Sequence, residues 1–95
     1  MNISTLHPSD KGVSAQLLFK GEAATTNALH LSAGEQLKEH TTKVPALLVC
    51  VIGEVVFNNV KGIKETLHPG DYIHIETDVV HWLDALKKSE LLLIK

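Results

Sequence analysis

The sequence predicts an all-β domain, and three observations carry that expectation. Valine, isoleucine and threonine supply 22 of the 95 residues, and their branched side chains suit a pleated, half-buried surface better than a helix. Turn-forming residues recur at short intervals, as in Asn58-Asn59-Val60-Lys61-Gly62 and Pro69-Gly70-Asp71, so the segments between them are short. No stretch shows a convincing long helical period, which leaves a sandwich or barrel. The size and a hydrophobic share of 44% fit one core, without linker, repeat or low-complexity tract.

The elements follow in order. Met1 to Gly12 is a polar arm, and residues 13–95 form the single domain. Ala15 to Lys20 alternates Ala15, Leu17 and Phe19 against Gln16 and Lys20, with Leu18 as the exception. Thr26 to Ser32 places Leu29 and Leu31 on one face and His30 on the other. Ala46 to Ile52 is apolar on both faces, the pattern of a central strand. Val55 to Phe57 and Ile63 to Leu67 flank the asparagine-glycine loop as a hairpin. Tyr72 to Ile75 and Val79 to Ala85 follow the Pro-Gly-Asp turn. In the tail, Trp82, Leu83, Leu86 and Glu90 permit a short helix, but four consecutive apolar residues from Leu91 to Ile94 favour a last strand after Lys87-Lys88-Ser89-Glu90.

Charge and composition exclude several classes. All nine basic residues are lysines, and the net charge is −2. Without arginine there is no bidentate clamp for phosphate or guanine, and few counterions would be released on DNA, so nucleic acid is not the expected partner. No apolar run reaches the length of a membrane span, and Met1-Asn2-Ile3-Ser4 does not begin a secretory leader. One cysteine, Cys50, allows no internal disulfide and suits a reducing compartment. A soluble, cytoplasmic protein with no membrane partner is the expectation.

Three fragments carry a family resemblance. Gly34-Glu35-Gln36-Leu37-Lys38-Glu39-His40 sets a glycine six residues ahead of a histidine. Val51-Ile52-Gly53-Glu54-Val55 forms a hairpin, and Leu67-His68-Pro69-Gly70-Asp71-Tyr72-Ile73-His74-Ile75 leads on to His81. In this order and spacing they resemble the two motifs of the cupins, double-stranded β-helix barrels of jelly-roll type. Many cupin enzymes hold a metal with two histidines and a glutamate from the first motif and one histidine from the second. The resemblance puts the first of these on His40 and the last on His81. The second histidine falls on Thr42, the glutamate on Ala46, and the turn before the last ligand reads Glu76-Thr77-Asp78. Two of the four ligands, including the only charged one, are missing.

Substitute ligands are hard to find. Alternation turns Glu39 away from His40 and Asp84 away from His81 if both strands are regular, while His30 and His74 stand on strands whose inward face the sequence does not identify. A residual histidine site would favour nickel, copper or zinc over calcium or magnesium. Each histidine also has a plainer reading. His7 and His68 precede proline in loops and are expected in solvent, His30 and His74 fit ordinary strand positions, and His40 and His81 fit the polar lining of a metal-free pocket.

Counting by twos from Ala46 puts Leu48, Cys50 and Ile52 on the inward face, and the expected pocket is Ala46, Leu48, Cys50, Leu83 and Ala85, tipped by His40, Thr42 and His81. Cys50 is expected to pack as a small hydrophobe, because nothing nearby in sequence would activate it. The resulting expectation is a cupin that binds a small molecule with at most a weak metal site. The alternatives are a metal-dependent enzyme of dioxygenase or isomerase type using His40, His81 and a further ligand, and a partner-binding module with a vestigial pocket. Val49 and Val51 oppose Leu48 and Cys50, and Trp82 opposes His81, so apolar surface outside the lumen points to a homodimer.

Overall fold

The computed structural model describes residues 1–95. Nine strands follow a short 3-10 turn: β1 (Val13–Lys20), β2 (Thr25–Leu31), β3 (Gln36–His40), β4 (Ala46–Ile52), β5 (Val55–Asn59), β6 (Lys64–Leu67), β7 (Tyr72–Ile75), β8 (His81–Ala85) and β9 (Ser89–Ile94). They pair as a five-stranded sheet, β1-β2-β9-β4-β7, and a four-stranded sheet, β3-β8-β5-β6. All pairs are antiparallel. The sheets face each other as a jelly roll without closing into a continuous barrel.

Alternation builds the core. Leu29, Leu31, Leu48, Cys50, Ile75 and Leu91 of the large sheet meet Val55, Phe57, Leu83 and Ala85 of the small one. Each fully buried leucine or phenylalanine contributes about 2 kcal/mol. The tail is the strand β9, which lies between β2 and β4. Four consecutive leucine and isoleucine residues suit that central place, where Leu91 is buried and Leu92, Leu93 and Ile94 are half-buried.

Two irregularities revise the sequence reading. The pairing of β4 with β9 shifts between Cys50 and Ile52, so Ile52 turns to solvent instead of continuing the inward face of Ala46, Leu48 and Cys50. A bulge between Leu17 and Phe19 on β1 absorbs Leu18, which explains why that residue broke the alternation. The asparagines of the predicted loop extend β5 as far as Asn59, and Asn59 Oδ1 accepts hydrogen bonds from the amides of Lys61 and Ile63 to close the turn. Gly53 lies at φ +96°, and a Cβ there would run into the Lys88 carbonyl and Ser89, so the β4–β5 turn needs glycine for both reasons.

Candidate functional site

β3 and β8 are neighbours in the small sheet, and His40 on β3 is the register partner of His81 on β8. An irregularity between Leu37 and His40 brings this pairing about. The two imidazoles lie 4.1 Å apart between centroids at 60° to each other. His81 is buried, with Phe57 stacked at 5.7 Å, while His40 is exposed at the rim. Beneath them is a cavity of about 10 Å³ walled by Leu29, Leu37, Leu48, Ile75, Leu83 and Leu93. That is room for about one water molecule.

The backbone sets the tautomer of both rings. His81 Nδ1 donates to the Val79 carbonyl at 3.1 Å, and His40 Nδ1 donates to the Lys38 carbonyl at 2.9 Å. A carbonyl oxygen only accepts, so each Nδ1 carries the proton and each neutral ring offers its Nε2 lone pair. Burial holds the His81 pKa below the ordinary histidine range; the Val79 carbonyl opposes this, and His40 and Lys95 add to it. The neutral, accepting form of His81 is therefore the resting one at neutral pH.

A metal-ligating histidine commonly donates its second nitrogen to a backbone carbonyl in this way. The remaining donors do not fit a tightly held ion. No group of three or more histidine, cysteine, aspartate or glutamate side chains is placed to hold a metal. Thr42 donates its hydroxyl to the Val44 carbonyl at 2.7 Å, and Ala46 is packed in the core. Glu39 is exposed, and Asp84 faces out of the small sheet, where it accepts from Gln36 and Asn58. His74 packs edge-on against exposed Tyr72. His30 lies on the outer face of the large sheet, bonded to Glu90. Neither reaches the cavity wall.

Of the residues predicted for the pocket, Leu48 and Leu83 line the cavity with His40 and His81. Cys50 and Ala85 share their inward face but lie deeper, in the closed core, and Thr42 is turned into its own hydrogen bonds. Burial pushes the Cys50 thiol up, and Asp71 adds to the effect. Its Sγ leans on the Ile52 and Gly53 carbonyls, so it packs as a buried thiol. His68 is exposed as expected and meets Glu54 at 3.0 Å. His7 is not, because the arm folds back and buries its side chain over the large sheet. The sequence reading missed that second cluster, in which His7 and His30 flank Glu90. The one sign of it was His30 itself, a titratable residue set between Leu29 and Leu31 and facing away from the core.

The comparisons agree with this architecture. The Cupin domain family matches residues 27–94. The chain belongs to the cupin family. No curated protein matches it. Among solved structures, a cupin superfamily protein from Desulfitobacterium hafniense DCB-2 is similar with a TM-score of 0.85 at 18% identity, over 98% of this chain and 84% of that one. An RmlC-like cupin from Desulfovibrio desulfuricans gives 0.83 at 16% identity, over 98% and 90%. One from Methanocaldococcus jannaschii, described as having a double-stranded β-helix fold, gives 0.78 at 17%, over 94% and 84%. At these identities the likeness concerns the fold. No helix of this cupin is long and apolar enough to cross a membrane.

Proposed function

We propose that this cupin binds a small organic ligand by its polar end, which His40 and His81 grip at the rim of the sandwich. What supports the reading is the fixed tautomer of both rings: two adjacent Nε2 acceptors over an apolar cavity select a group that donates hydrogen, such as a hydroxyl, an amide N–H or an ammonium. The cavity takes only the tip of such a ligand, and the rest would lie at the mouth beside exposed His40. A divalent ion of nickel, copper or zinc type would find two nitrogens and no carboxylate, which makes any metal site weak. Ligand screening by NMR tests the reading. Hydroxyl- or amine-terminated compounds should shift the His40 and His81 ring signals, and the shifts should vanish in His40→Ala. Binding that survives in His40→Ala, or stoichiometric metal retained through dialysis against a chelator, would reject it, and the latter would favour the metal-dependent enzyme.

A homodimer is the assembly that goes with this proposal. Val51, Ile52 and Tyr72 leave apolar area exposed on the large sheet, and Leu17 and Phe19 do so at its β1 edge. A patch of this kind on a domain without covering helices is suited to a two-fold contact. A cytoplasmic setting accords with the single reduced cysteine.

A further inference from the structure

The outer face of the large sheet carries a buried acid that the His40–His81 pair does not touch. Glu90 of β9 is 1% exposed, and its Oε1 lies 3.0 Å from Nδ1 of His30 on the adjacent strand β2. Its second oxygen has no hydrogen-bond partner. Nε2 of His7 stands 4.0 Å from that oxygen and is also buried and unpartnered. A buried polar atom without a partner costs about 1–3 kcal/mol. Two of them facing each other across a gap too wide for a hydrogen bond make a poised contact, not a closed one.

His7 is the arm's most deeply buried side chain. No residue from Met1 to Gly12 is buried as a whole, and the 3-10 turn buries nothing. The His7 side chain is the exception, at 3% exposure, with Nδ1 2.8 Å from the Ser14 hydroxyl and its ring 5.5 Å from that of His30. In the backbone, the arm's carbonyl at Gly12 accepts from Ser32, and its remaining bonds outside the strands are internal.

We infer that His7 is an acid-sensitive latch, docking the arm over His30 and Glu90 while its imidazole is neutral and releasing it on protonation. The groups facing it are Glu90 from β9, His30 from β2 and, at the mouth of the cleft, Lys88. Burial lowers the His7 pKa most, Glu90 pulls it back up, and His30 lowers it again. The result is a docked imidazole harder to protonate than a free one. In a released arm the ring titrates near 6.5. Docking is therefore fully favourable above about that pH and weakens as pH falls toward the lowered value, by at most about tenfold per pH unit for one proton. Release would open the polar cleft that Ser4, His7 and Ser9 of the arm now line together with His30, Ser32 and Lys88.

Backbone ¹⁵N relaxation of Met1 to Gly12 in the full chain, at about pH 7.5 and about pH 5.5, reads the latch directly. An ordered arm that loosens in acid is expected, with the strands unchanged. Glu90→Gln removes the charge that favours His7 protonation, so the midpoint of release should move to lower pH. His7→Gln, which alters only the arm, should make arm order independent of pH. An arm equally ordered at both pH values, an arm tightened by acid, or a midpoint that stays or rises in Glu90→Gln would each overturn the latch.

Discussion

Two pairs of imidazoles in this cupin differ in one component, a buried carboxylate, and the difference separates the site proposed for binding from a cluster that packs the outer face. His40 and His81 meet between the sheets, each held by a backbone carbonyl and surrounded by leucines, with no carboxylate. His7 and His30 meet on the outer face of the large sheet around a buried glutamate. The acid that a metal site would need is present in the molecule, on the wrong side of a strand. Strand parity decides this: Leu91 enters the core and its neighbour Glu90 must face away. The inner pair leaves its Nε2 lone pairs free of protein partners, as the proposed ligand site requires, and the outer pair packs around its acid.

The largest effect should come from removing the acid. Glu90→Ala strips His30 of its buried partner and leaves a void under the arm, and should cost about 3 kcal/mol by urea unfolding. His40→Ala should cost no more than about 0.5 kcal/mol, because the ring is at the exposed rim. Equal losses from the two substitutions would erase the proposed division.

Moving an acid inward should sharpen the contrast from the other side. Leu37 lines the cavity beside the two histidines, so Leu37→Glu adds a third, charged donor. Nickel affinity measured by calorimetry should rise at least about tenfold over the native pair, or about 1.4 kcal/mol. The same titration in His81→Phe should show no site. Affinity unchanged in Leu37→Glu would mean that the imidazoles do not converge on one ion.

A smaller effect separates the pairs by pH. The depressed His81 pKa means the unfolded chain binds more protons, so fold stability is full above about 6.5 and declines as pH falls toward the lowered value. His81→Phe should flatten that part of the pH profile while leaving arm loosening in place. Loss of both together would show one titration, not two.

The fold was legible in the sequence because its signals are local. Alternation, Pro69-Gly70-Asp71 and the glycine ahead of His40 marked strands and turns, and β4 and β7 occur at the predicted residues. The pairing of His40 with His81 rests on two motifs far apart in the chain, and the resemblance supplied it. The depth of Cys50 was less accessible: parity gives a side chain's face but not its distance from the cavity mouth. Ile52 was misplaced because a bulge resets parity without a clear mark in the sequence. The His7 cluster was missed because its members are 23 and 60 residues apart, and the arm's path over the sheet depends on tertiary contacts.

The smallest effect on the stability of the single chain comes from a substitution that tests the assembly, and it extends the comparison to the outer surface. If the large sheet's apolar patch is a dimer contact, then the molecule's outward face has both a buried polar cluster and a sticky apolar area. Val51 is a suitable probe, because it is partly exposed and opposes the core face of β4. Val51→Lys leaves the core untouched and should change monomer stability by no more than about 0.5 kcal/mol. It would nevertheless place a charge from each copy at an apolar two-fold contact, and like charges there cost several kcal/mol. Sedimentation at micromolar concentration should therefore show the native chain at twice the monomer mass and Val51→Lys at the monomer mass. A native monomer would reject the dimer and leave the exposed valine, isoleucine and tyrosine as ordinary surface. A dimer that persists in Val51→Lys would move the contact away from β4 and toward the β1 edge, where Leu17 and Phe19 are exposed. Lysine at Leu17 would then be the substitution that breaks it.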